Sequence, residues 1–152
     1  MSIFDSNQWM NSIDNIPIST PQKNIMSEYN RIGNQFVKSW CDTLSSNIKN
    51  ISKYCLPETL FTFFGSEIVG CDKLLTEIKN NNIDKILMIP DKISSQPSGS
   101  QGLHIVVFGK LNIITTNLFS KVMEKQFVSY FCLTRVPDKN TLYVNNHLIM
   151  TL

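Results

Sequence analysis

Between Ile25 and Leu44 the apolar positions return every three or four residues. Tyr29, Ile32, Phe36, Val37, Trp40 and Leu44 form one stripe, the pattern of an amphipathic helix. Ser27 stands where a cap would start that helix, and Ser45-Ser46-Asn47 stands where it would stop. A second, short helix is expected with Ile48, Ile51, Tyr54 and Cys55 inward and Pro57 just beyond it. The period then changes from helical to alternating. Thr59 to Phe64 reads as a strand, turned at Gly65-Ser66 into a short mate at Glu67-Ile68-Val69. Cys71 to about Asn80 returns to helical spacing, with Leu74, Leu75 and Ile78 inward and a run of asparagines as its end.

The remainder reads as strands. Ile83 to Ile93 is apolar with Pro90 inside it, so it is expected at a sheet edge, where a missing backbone donor breaks no ladder. The composition of the SSQPSGSQG segment predicts a loop, and Leu103 to Leu111 a strong strand. Asn112 to Glu124 is a long, partly apolar connection that either extends the next hairpin or makes a contact of its own. Lys125–Arg135 and Thr141–Met150 flank a Val136-Pro137-Asp138-Lys139-Asn140 break and read as an antiparallel hairpin. On its first arm Phe127, Ser129, Phe131 and Leu133 face one way, and Val128, Tyr130, Cys132 and Thr134 the other. Both faces are bulky, so both need covering. The order of two helices, two strands, a helix and four strands predicts an α+β domain. A curved antiparallel sheet would be packed by three helices into a half-open cone. That domain spans residues 25–152, behind a flexible N-terminal extension of residues 1–24 that docks, if at all, through Phe4 and Trp9.

Composition narrows the partners. Of 152 residues, 42% are hydrophobic and only 17% charged, enough to build a core beneath a weakly charged surface. The net charge of +2 comes from scattered lysines, which is no footprint for nucleic acid. No stretch approaches the length of a membrane span. Cys41, Cys55, Cys71 and Cys132 lack the spacing of zinc or thioredoxin-type sites, so reduced thiols in a cytosolic or nuclear protein are expected, with no metal.

Four segments in register resemble the nuclear transport factor 2-like family over roughly Tyr29 to Leu152. They are the helix NQFVKSWCDTL, the strand Leu60-Phe61-Thr62-Phe63-Phe64-Gly65 with Ile68-Val69-Gly70, the strand His104 to Leu111, and the ending Phe127 to Leu148. The resemblance implies a non-enzymatic transport factor of the nucleus, nuclear pore and cytoplasm that acts by protein–protein binding without a cofactor. The family's carrier of Ran-GDP has an acidic residue at the position of Phe64 and aspartates after the His104–Leu111 strand. This chain has Asn112-Ile113-Ile114-Thr115-Thr116 there, and His147, Ile149 and Met150 alter the family's closing motif. The resemblance therefore implies an mRNA-export cofactor that heterodimerises with an export receptor and contacts Phe-Gly nucleoporins. A homodimeric importer of Ran-GDP is the alternative.

Val106, Phe108, Tyr130, Cys132 and Leu148 are the expected partner-binding patch, on the sheet face away from the helices. Phe63, Phe64, Phe131 and Trp40 are candidates for an aromatic pocket, with Phe64 pointing opposite to Phe63. An isomerase or dehydratase working inside the cone would need a proton-shuttling pair, and His104, His147, Tyr130 and Tyr143 are its candidates. Asp42, Asp72, Asp84, Asp91 and Asp138 fall at helix surfaces, caps or turns, so no acid–base pair and no catalytic residue is assigned. A small-molecule-binding or enzymatic use of the cone is the third reading.

Overall fold

The computed structural model describes residues 22–99, 102–116, 122–136 and 141–152. Helix α1 (Gln22–Ser46) carries the predicted stripe, and every residue of that stripe is buried. The helix begins three residues before the expected boundary, and Ser27 lies inside it, so Ser27 is not its cap. At the other end Ser45 and Ser46 hydroxyls both donate to the Asp42 carbonyl, satisfying the last-turn acceptor that a helix end leaves open. A 3-10 helix (Ile48–Tyr54) follows and buries Ile51 and Tyr54.

The sheet has six strands: β1 (Cys55–Phe63), β2 (Ser66–Val69), β3 (Ile83–Ser98), β4 (Gly102–Thr115), β5 (Val122–Val136) and β6 (Thr141–Thr151). Their order is β2-β1-β6-β5-β4-β3, and the sheet is curved and unclosed. All neighbours are antiparallel except β1 and β6, which run parallel, a departure from the purely antiparallel expectation. Their ends meet only after the chain has traversed the rest of the sheet, so no local hairpin dictates their direction.

Helix α2 (Cys71–Asn80) lies between β2 and β3. Asp72 in its first turn and Lys79 in its last complement its dipole, and Asn82, at φ 57°, ends it in the left-handed conformation that asparagine tolerates. The three helices cover one face of the sheet, giving the half-open cone.

Three strand boundaries differ from expectation. β1 starts at Cys55 and takes in Pro57, β3 runs on through Ser98, and β4 and β5 stay paired out to Ile114 and Val122. Pro97 and Pro90 are tolerated because β3 is an edge, as predicted for Pro90. The Asn112–Glu124 connection is therefore mostly hairpin, with Asn112 opposite Glu124; Leu118 and Phe119 lie outside the described residues. So do Pro137 to Asn140 of the last turn, Asp138 included, and the extension's Phe4 and Trp9.

Thr59 shapes β1. Its hydroxyl accepts from the Leu56 amide at 2.8 Å and donates to the Val144 carbonyl at 2.6 Å, across the register shift between Cys55 and Leu60. β3 bends at a second irregularity, between Pro90 and Lys92, opposite Gly109.

Candidate functional site

Among the described residues, the cone interior, its open rim and the outer face of the sheet are places where a ligand could be met.

Aromatic side chains fill the interior. Phe36 and Trp40 from α1 meet Phe131 of β5 edge-on, at 4.9 and 5.3 Å between ring centroids. His147 of β6 stacks on Phe131 at 4.2 Å, only 16° from parallel. Its Nδ1–H donates to the Tyr130 carbonyl at 3.1 Å, and burial holds the imidazole down to a pKa of about 4, so it is neutral at pH 7. The void beside Trp40 and His147 measures about 10 Å³, barely one water. No Asp or Glu is buried among the described residues, and Asp42, Asp72, Asp84 and Asp91 are exposed. The four residues considered for proton shuttling are not together. His147 is in the core, His104 and Tyr130 share the outer face, and Tyr143 is half-buried on β6.

At the rim, Phe63 and Phe64 open a pocket of about 270 Å³, shared with Ile83, Ile113, Glu77 and Asn81. Trp40 and Phe131 do not reach it; both are fully buried. The four expected pocket aromatics thus divide into two core residues, one spanning residue (Phe63) and one rim residue (Phe64). Phe64 does not point away from Phe63 as strand alternation predicts. It sits at φ 48° in the two-residue turn with Gly65 (φ 90°), which swings its ring to 4.5 Å from that of Phe63. A bulky side chain in this left-handed conformation is strained, and the apolar contact with Phe63 offsets the strain.

The outer face carries the expected patch. Val106, Tyr130, Leu148 and Thr62 are cross-strand neighbours in one row. Phe108, Val128 and Met150 form the next row, and His104, Cys132 and Asn146 the row on the other side. Phe108 is 45% exposed, Met150 44% and Leu60 49%. His104 Nδ1 and Tyr130 Oη share a hydrogen bond of 2.6 Å with their rings stacked, which ties both side chains across the sheet. Burial raises the Tyr130 pKa, so its phenol is protonated at neutral pH. Beside Tyr130 and Leu148 the surface dips into a trough of about 560 Å³, bordered by Leu60, Val69 and Thr62, with Glu67 as the one charged lining residue among the described residues. Leu60, Val69 and Met150 join the expected five here. Alternation with the buried Phe61 and Ile149 is the sequence signal for Leu60 and Met150, whereas the trough depends on the curvature of the sheet.

No protein-family model and no curated protein matches this sequence. Solved structures do. Nuclear transport factor 2 from Cryptosporidium parvum superposes with a TM-score of 0.70 at 18% identity, over 82% of this chain and 95% of that one. The yeast UBP3-associated protein Bre5 gives 0.62 at 13% identity, over 77% and 91%. A scytalone dehydratase-like protein from Novosphingobium aromaticivorans gives 0.66 at 8% identity, over 86% and 87%. The chain therefore has the nuclear transport factor 2-like fold, one shared by enzymatic and non-enzymatic proteins.

Proposed function

We propose that this chain is a non-enzymatic nucleocytoplasmic transport factor of the nucleus, nuclear pore and cytoplasm, working through the outer face of its sheet. The observation that carries the reading is the contrast between the two faces. The inner one is filled with aromatic side chains, with a void of only about 10 Å³ beside Trp40 and His147 among the described residues, while the outer one leaves Phe108, Met150 and Leu60 roughly half exposed and dips into a trough beside Leu60. Apolar side chains so grouped on a stable sheet are most stable under a second protein surface. The favoured partner is a similar domain on an mRNA-export receptor. The rim pocket at Phe63 and Phe64 has the apolar lining that the Phe of a Phe-Gly nucleoporin segment would need. That rim also motivates the choice of branch: among the described residues Glu77 is the only carboxylate lining it, and a groove for the basic groups of a GTPase needs more.

The likeness to a nuclear transport factor 2 at a TM-score of 0.70 favours a second reading, a homodimeric carrier of Ran-GDP. Native mass separates the two. Measured alone, with Ran-GDP and with the receptor's similar domain, a chain that pairs only with the receptor domain supports the export cofactor. A homodimer that gains mass with Ran-GDP supports the carrier. A monomer indifferent to both at high micromolar concentration overturns the binding-module reading in favour of enzymatic use of the cone.

A further inference from the structure

Cys55 opens β1 and Cys71 opens α2, and neither takes part in the aromatic core stack or the outer face. The fold nonetheless brings them together. The β1–β2 hairpin folds the chain back on itself, and the Gly70 amide donates to the Thr59 carbonyl at 2.8 Å, pinning the start of α2 against β1. Gly70 lies so close that an added Cβ would stand 3.1 Å from the Pro57 carbonyl oxygen. Both cysteines are free, and both line one solvent-open cavity of about 390 Å³ with Ser52, Pro57, Asp72 and Lys73.

The Cys55 S–H donates to the Ile51 carbonyl at 3.4 Å. The nearness of the two sulfurs holds the Cys71 thiol below its ordinary pKa and, with burial, raises that of Cys55. Cys71 lies in the first turn of a ten-residue helix, where the backbone dipole also favours a thiolate. The other two thiols are differently placed. Cys41 is pushed up to about 12 by burial, with Asp42 adding to it, and Cys132 stands on the outer face between His104 and Asn146.

We propose that Cys55 and Cys71 form a peroxide-responsive dithiol, with Cys71 the attacking sulfur and Cys55 the resolving one. The oxidant is hydrogen peroxide, which enters through the shared cavity. The Cys71 thiolate attacks one peroxide oxygen, the O–O bond breaks, and the departing hydroxide takes up a proton to become water. Cys71 is then a sulfenic acid. The Cys55 thiol attacks that sulfur, loses its proton and expels the hydroxyl as a second water, leaving a Cys55–Cys71 disulfide. Two thiols give up two electrons to one peroxide. The bond closes the β1–β2 hairpin, which carries Leu60 and Val69 of the outer trough, into a covalent loop. This inference stands apart from the transport reading, since neither cysteine lies in the surfaces that reading uses.

The test is peptide mapping by mass spectrometry of the folded full chain, reduced, desalted and exposed to substoichiometric hydrogen peroxide, with free thiols then alkylated. The expected product is a single cross-linked peptide joining Cys55 and Cys71, lighter by two hydrogens and reopened by a thiol reductant. In urea that preference should disappear, because only the fold pairs these two residues. In Cys55→Ser, dimedone should label Cys71, the sulfenic acid now lacking its resolving partner. Alkylation of Cys55 and Cys71 undiminished by peroxide, or oxidation falling first on Cys132, overturns the proposal without reference to any variant.

Discussion

Thr59 and His147 are polar residues in an apolar interior, and each is held there by a specific arrangement of partners. The Thr59 hydroxyl is fully buried and uses both its donor and its acceptor on backbone groups, accepting from the Leu56 amide and donating to the Val144 carbonyl beside that irregularity. Thr59→Val keeps the shape and takes this partner from the part-buried Leu56 amide and the buried Val144 carbonyl. It should lower unfolding stability by about 1–3 kcal/mol, read as a lower urea midpoint with an unchanged slope. His147 makes stability depend on pH. Its folded pKa of about 4 lies below the ordinary 6.5, so between those values the unfolded chain binds a proton that the folded chain refuses. Its contribution is intact above pH 6.5 and is lost as pH falls through 4, a difference of about 3 kcal/mol at most. His147→Phe, which keeps the stack on Phe131, should flatten that part of the pH–stability profile. A variant with the same slope as the parent between about pH 7 and 4.5 would remove His147 as its cause.

Elements meet closely at several glycines, and the approaches at Gly109 and Gly33 differ in kind. An added Cβ at Gly109 of β4 would stand 2.1 Å from the Ile89 carbonyl oxygen of the bent edge strand β3, and backbone cannot rotate away. At Gly33 of α1 the nearest atom, at 1.8 Å, is the Ser95 hydroxyl, a side chain. Both alanine substitutions should destabilise, by about 1–3 kcal/mol each, as overpacking does. Only Gly33→Ala should be rescued by a second change, Ser95→Gly, which clears the space α1 needs over β3. Thermal unfolding of the two singles and the double measures this, and equal losses with and without Ser95→Gly would show that α1 and β3 meet otherwise. The sequence carries no sign of either constraint. Periodicity reports which face a strand shows to the core, whereas the distance between two strands or between a helix and a strand is a property of their packing.

For the whole molecule, the decisive feature is the asymmetry of the sheet. Its inner face is covered by three helices, and its outer face presents Val106, Phe108, Tyr130 and Leu148 in adjoining rows. Phe108 is at the exposed end, so Phe108→Lys removes apolar contact area without disturbing the core. Under the proposed function this variant should reduce partner or self-association roughly tenfold or more, as losing a central aromatic contact does, with its own melting temperature as an isolated chain unchanged. Analytical ultracentrifugation over a concentration series reads the first and differential scanning calorimetry the second. An unaltered association constant would move the interface off this face.

The residues that alternate or repeat along the chain are legible from the sequence alone. Tyr29 to Leu44 buries as a helix, Phe127 to Leu133 and Val128 to Thr134 separate to opposite faces, and Pro90 marks an edge. These properties are local: backbone geometry repeats every 3.6 or every 2 residues, so a pattern of side chains suffices to state which face is which. The outer-face patch shares that legibility because its five members lie on one face of adjacent strands. What joins distant segments is decided only by the tertiary structure. The parallel pairing of β1 with β6, the turn that brings Phe64 onto Phe63, the packing of His147 against Phe131, and the meeting of Cys55 with Cys71 belong to this class. Each depends on how strands cross and how closely layers approach. A contact between residues far apart in the chain leaves no periodic trace in either segment, and its free energy exists only once both have been brought together.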